Sequence, residues 1–108
     1  MEMNDYQELA RRTAIYPAEH GLMYTVLGLT NESGELAGKL KKMYRDDNGI
    51  LTTERRDSLI DELGDVLWYA AMVARELDVA LADVACINIG KLERRRIKNT
   101  LKGDGDDR

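Results

Sequence analysis

The sequence predicts an all-α fold, a four-helix chain whose bundle is completed by a second subunit. Apolar residues recur at spacings of three and four along most of the chain, which is the helical period. No alternating apolar–polar run of useful length marks a strand. The third observation is a helix too apolar for one small chain to cover. From Val66 to Ala74 it reads Val-Leu-Trp-Tyr-Ala-Ala-Met-Val-Ala, and a helix that is apolar all round is usually buried all round.

The elements follow in order. A short first helix is expected from about Met3 to Thr13, closed by the single proline, Pro17, and by His20-Gly21. A second runs from about Met23 to Tyr44, with Val26, Leu29, Ser33, Leu36, Ala37, Leu40 and Met43 on its apolar stripe. Arg45-Asp46-Asp47-Asn48-Gly49 reads as a turn. Thr52 or Thr53 then caps a third helix that continues to about Leu77. One of its faces carries Leu59, Leu63, Val66, Ala70, Val73 and Leu77; another carries Trp68, Tyr69 and Met72. The second face is the one expected to need a partner copy. Gly34 and Gly38, four apart on the second helix, are expected to let helices approach closely. A fourth helix is expected from about Leu81 to Asn99, which makes residues 1–101 one domain and 102–108 a Gly/Asp-rich tail.

Two acidic patterns interrupt these apolar segments. Glu32-Ser33-Gly34-Glu35 and Glu62-Leu63-Gly64-Asp65 each place two carboxylates three residues apart, on one helical face. Carboxylates beside apolar residues lose hydration and repel one another. If the two helices are antiparallel neighbours, all four acids converge at one level. A hard cation such as Mg²⁺ is the simplest partner, since it takes oxygen ligands and retains water. The competing reading is a solvated acidic edge making i, i+4 pairs with Lys39 and similar residues, and on the residues alone the two stand about even.

The fourth helix adds Asn88, Lys91 and Arg95 in one polar stripe. A metal held by carboxylates beside a Lys and an Arg suits a polyphosphate. A basic last turn also complements the helix dipole with no function at all. The single histidine, His20, excludes the paired Glu-x-x-His of a ferritin-like di-iron site. No phosphate loop of the G-x-x-x-x-G-K-[ST] type is present. Cys86 is the only cysteine, so no internal disulfide forms. A net charge of −4 argues against general nucleic-acid binding. With no leader and no apolar stretch approaching the about 18 residues of a membrane span, the expected address is cytoplasmic.

The motifs resemble those of a known family. Gly28-Leu29-Thr30-Asn31-Glu32-Ser33-Gly34-Glu35-Leu36-Ala37 is similar to the first motif of the MazG-like nucleoside triphosphate pyrophosphohydrolases. Asp61-Glu62-Leu63-Gly64-Asp65-Val66-Leu67-Trp68-Tyr69 resembles the second, and Asn88-x-x-Lys91-Leu92 with Arg95 the third. Gly103-Asp104-Gly105-Asp106-Asp107-Arg108 resembles the tail of short, single-domain members. Many relatives carry an acid directly before the leading Glu, where this chain has Asn31.

The resemblance implies an all-α dimer or tetramer with active sites between subunits. It also implies Mg²⁺-dependent hydrolysis of a nucleoside triphosphate to a monophosphate and pyrophosphate, with Mn²⁺ as a possible substitute. Carried over, Glu32, Glu35, Glu62 and Asp65 hold the metal. Asn88, Lys91, Arg95 and Arg108 contact substrate, with Glu35 and Lys91 as the catalytic pair and Glu35 the candidate base. The tail is expected to fold back so that Arg108, or the amides of Gly103 and Gly105, approaches nucleotide. Two alternatives stay open: a non-catalytic helical oligomer acting as regulator or scaffold, and a dUTPase-like or other diphosphatase.

Overall fold

The computed structural model describes residues 1–106, and among them the regular secondary structure is helical throughout. Four α-helices follow one another: α1 (Met3–Arg11), α2 (Gly21–Asp46), α3 (Thr53–Glu76) and α4 (Leu81–Lys98), with a single 3-10 turn at Ala18–His20 leading into α2. Helix α1 opens with a reciprocal box between Glu2 and Asp5. Of the two candidate threonines Thr52 is the cap of α3, its hydroxyl accepting from the Arg55 amide at 3.1 Å. Helix α2 extends two residues into the expected turn, and the reversal is made by Asn48 and Gly49, both at positive φ.

Helices α2 and α3 form an antiparallel hairpin. Its register is read from three contacts: Arg55 to Asp47 at the turn, Glu62 to Lys39 midway, and the Tyr69 ring against Gly28. At Gly28 a Cβ would fall 2.1 Å from the Tyr69 ring, so this close approach requires glycine. At Gly34 and Gly38 a Cβ would meet nothing within 4 Å. The close approach expected at those two glycines is therefore made at Gly28 within this chain.

Helix α1 lies across the second half of α3 and the start of α4. The core is small, built from Ala10, Ala71, Met72, Ala74 and Leu81, with Tyr6, Tyr16, Trp68 and Val79 packed on it. Helix α4 has no side-chain cap of its own. Its first amides are instead satisfied by α1: Gln7 Oε1 accepts from Leu81 N and Asn4 Oδ1 from Ala82 N, each at 3.0 Å. Gln7 Nε2 also donates to the carbonyls of Ala71 and Val79 at 3.2 Å. One amide side chain thus ties three elements together. Gln7→Leu leaves those groups short of partners inside the fold, and denaturant unfolding is expected to show a loss of about 1–3 kcal/mol.

The face expected to need a partner is covered by the chain itself. Met72 is fully buried, the Trp68 indole donates to Thr13 Oγ1 at 2.8 Å, and Tyr16 and Tyr24 complete an aromatic cluster with Tyr69. Helix periodicity showed that α3 is apolar on two faces but not which of them α1 would claim. The uncovered face holds Ile60, Leu63 and Leu67, with Val26 and Leu27 on α2 and Ile87 and Ile89 on α4 also exposed. The accessible surface is 7932 Å², against about 6,000 Å² for a folded monomer of this mass. The radius of gyration, 16.8 Å, likewise exceeds the about 13 Å of a compact chain this long.

Candidate metal centre

Antiparallel pairing brings Glu32 and Glu35 of α2 level with Glu62 of α3. One carboxylate oxygen from each of the three can be chosen so that all lie within 4.8 Å of one another. Glu62 is 7% exposed, an unusual place for a carboxylate. Glu62 Oε1 pairs with Lys39 Nζ at 2.7 Å. Glu62 Oε2 and Glu32 Oε2 are buried and have no hydrogen-bond donor among the described residues. Asp65, one turn after Glu62, is outside the trio. It is exposed and lines a cleft with Thr13, Glu32, Trp68 and Tyr69, yet its charge still reaches Glu32.

The electrostatics separate the acids. Burial first, then the charge of Glu35, the contact with Glu62 and the charge of Asp65, push the Glu32 carboxyl up to about 7. Lys39 holds Glu62 below its ordinary value, against the opposing pull of burial. The donor set is all oxygen and anionic, with two buried oxygens awaiting a partner. That fits a hard divalent cation.

A pH dependence follows from Glu32. Unfolded, it releases its proton near 4.5; folded, near 7. The metal-free fold therefore loses stability from this group as pH rises between those values. The Glu62 shift is downward and acts below this window. The melting temperature of metal-free protein is expected to fall between pH 5 and pH 8, and Glu32→Gln is expected to flatten that slope. An unchanged slope in the variant would remove Glu32 as its source.

The cations of α4 form a second group. Lys91 Nζ and Arg95 Nη2 each lie 3.1 Å from Asp106 Oδ1, and Arg95 Nη2 also donates to the carbonyls of Gly105 and Asp106. The Arg95 side chain is 6% exposed, and its buried Nε has no hydrogen-bond partner among the described residues. The described part of the tail contacts α4 of its own chain through Gly105 and Asp106, and the side chain it presents there is the Asp106 carboxylate. Asn88 is exposed on the same helix. Arg108 lies outside the described residues. The contacts of Lys91 and Arg95 go to the tail and none reaches the acid trio. The structure thus assembles the acids, and separately the two cations, without joining the groups in one chain.

The site residues that sequence reasoning missed are Asp106, as partner of Lys91 and Arg95, and Lys39 in its cross-helix role. Lys39 was legible only as an i, i+4 neighbour of Glu35; the hairpin register hands it to Glu62 instead.

A hairpin with ordered E-x-x-E and E-x-x-D patterns around buried, unpartnered carboxylate oxygens defines a class. The chain belongs to the MazG nucleotide pyrophosphohydrolase family, whose domain matches residues 22–99. It is also 45% identical over 114 aligned residues to the Gene 37 protein of Mycobacterium phage L5, an alignment that covers 100% of both chains. No solved structure matches the chain. Among the described residues no helix is long and apolar enough to cross a membrane.

Proposed function

We propose that the chain is a Mg²⁺-dependent nucleoside triphosphate pyrophosphohydrolase, converting (d)NTP and water to (d)NMP and pyrophosphate. The observation that carries this reading is the buried, partnerless oxygen pair of Glu32 and Glu62 inside the matched family domain. Glu32, Glu35 and Glu62 hold the cation, with Asp65 completing the set from the cleft edge. When bound, Mg²⁺ supplies Lewis-acid charge to phosphate oxygens and acidifies water, and Mn²⁺ can serve in its place. Glu35 is the most exposed of the trio and is our choice for taking the proton of the attacking water. Lys91 and Arg95 bind phosphate, Asn88 orients the phosphate or sugar, and Arg108, two residues beyond Asp106, reaches the nucleotide. Asp106 marks the place: a carboxylate there occupies the two cations much as a phosphate oxygen would.

Residues 1–101 act as the enzyme domain, with the tail 102–108 serving its site. We infer a homodimer or tetramer. The surplus surface of about 1,900 Å² per chain over a compact monomer exceeds the about 800 Å² that each partner gives to a standard interface, and the exposed Leu63/Leu67 face of α3 is apolar. In such an assembly Lys91 and Arg95 of one subunit would complete the acid trio of another. The setting is the free nucleotide pool of the cytoplasm. The test is hydrolysis of the common nucleoside triphosphates with Mg²⁺, with products identified. Monophosphate and pyrophosphate support the reading; no turnover of any triphosphate overturns it.

A further inference from the structure

The acid trio lies between two clefts of opposite character. On one side are Thr13, Glu32, Asp65, Trp68 and Tyr69, with no cation among them. On the other, a cleft of about 460 Å³ is lined by Glu35, Gly38, Lys39, Lys41, Lys42 and Glu62. Glu35, Lys39 and Lys42 are four and three residues apart on α2, so one helical face runs from the acids directly onto two lysines. Gly38 lines that cleft, and a Cβ there would meet nothing within 4 Å, so the space beside it is open.

Lys39 has a second property. Its ammonium is 2.7 Å from Glu62 Oε1 while its side chain remains 33% exposed, against 9% for Glu62. Among the described residues it is the cation paired with the trio, and it reaches the buried carboxylate from the solvent side. Were Glu62 to hold a divalent cation, Lys39 would have to share or yield that oxygen. The lysine stem is long and flexible, so an ammonium released from Glu62 stays within the cleft.

We propose that the lysine cleft receives the leaving pyrophosphate of the substrate, with Lys39 its principal contact and Lys42 its second. This rests on the pyrophosphohydrolase reading and adds a direction to it. The β- and γ-phosphates lie on the Lys39 side of the acids, because each cleft presents two carboxylates but only this one sets Lys39, Lys41 and Lys42 beside them to meet a polyanion. In the reaction a bond forms between the water oxygen and the α-phosphorus. The bond from the α-phosphorus to the α,β-bridging oxygen breaks, and its electron pair departs with pyrophosphate. The water proton goes to a carboxylate of the trio. Negative charge grows on the bridging oxygen, and Lys39 is the group placed to meet it.

The experiment compares wild type, Lys39→Met and Lys39→Arg on two substrates with the same divalent cation. One is a nucleoside triphosphate. The other is the p-nitrophenyl ester of thymidine 5′-monophosphate, whose nitrophenolate leaves without help from a cation. Wild-type conversion of the triphosphate to monophosphate is measured first, and its failure brings down the pyrophosphohydrolase reading as well. Lys39→Met is expected to lose about 100-fold in kcat on the triphosphate and less than about threefold on the ester, with partial recovery in Lys39→Arg. Inhibition by free pyrophosphate should weaken about tenfold, as for loss of one charge-assisted contact. Mn²⁺ binding without nucleotide, followed by electron paramagnetic resonance, should be no weaker in Lys39→Met than in wild type. Equal losses on both substrates together with weaker Mn²⁺ binding would make Lys39 only a support for Glu62, and overturn the assignment alone. Unchanged kinetics on both substrates would overturn it too.

Discussion

Glu62→Gln is expected to lose triphosphate hydrolysis by about 100-fold or more, beyond the 10–100-fold typical of a residue that only supports a metal ligand. Glu62 is the most buried of the acids, with one oxygen on Lys39 and the other without a partner. The amide is isosteric, so packing is retained while charge and one acceptor are lost. Glu32→Gln and Glu35→Gln should behave alike, as should Asp65→Asn from its place at the cleft edge. The stability outcomes differ between them. Glu32 is crowded by Glu35, Asp65 and Glu62, so Glu32→Gln in metal-free protein should melt no lower than wild type near neutral pH. Glu62→Gln relieves part of the same repulsion but gives up the Lys39 pair, so its gain is smaller. Two or more of the four variants keeping wild-type rates under saturating Mg²⁺ would refute the metal cage.

Arg95→Met is expected to lose activity by a comparable factor, on the order of 100-fold, although Arg95 contacts none of the acids in its own chain. Its guanidinium is buried and faces the tail carboxylate, which is the environment of an anion site. If the site spans two subunits, the two defects are complementary. Glu62→Gln and Arg95→Met proteins, mixed and allowed to exchange subunits, should recover about a quarter of wild-type activity. Half the dimers are then hybrid, and each hybrid has one intact site of two. No recovery, with exchange demonstrated, would confine each site to a single chain. Lys91→Met should share the Arg95 phenotype with a smaller effect, since Lys91 is more exposed and contacts Asp106 only through one ammonium.

The helices and the grouping of Glu32, Glu35 and Glu62 were legible because both depend on local spacing, while Asp65, expected at the same level, falls outside the trio. Helical period places Glu32 with Glu35 on one face and Glu62 on one face of its own helix, and a short turn makes the two helices antiparallel neighbours. What the sequence withheld depends on tertiary register. Lys39 is four residues from Glu35, which suggests an intrahelical pair, but the hairpin offset puts it opposite Glu62. Gln7 and Asn4 cap a helix 74 and 78 residues away, a link with no local signature. Gly28, and not Gly34 or Gly38, takes the close contact because the Tyr69 ring packs directly against it. The Trp68/Tyr69/Met72 face read as exposed because periodicity reports apolarity and not the neighbour that will cover it. Asp106 was hidden for a similar reason. A Gly-rich acidic tail looks solvated until Lys91 and Arg95 are presented to it on one helical stripe.

The most direct test of the pyrophosphohydrolase reading is hydrolysis of a nucleoside triphosphate in ¹⁸O-labelled water with Mg²⁺, with the label located by mass spectrometry. The expected result is one ¹⁸O in the nucleoside monophosphate and none in the pyrophosphate released. Label in free orthophosphate with a nucleoside diphosphate as co-product would place attack at the γ-phosphorus and contradict it.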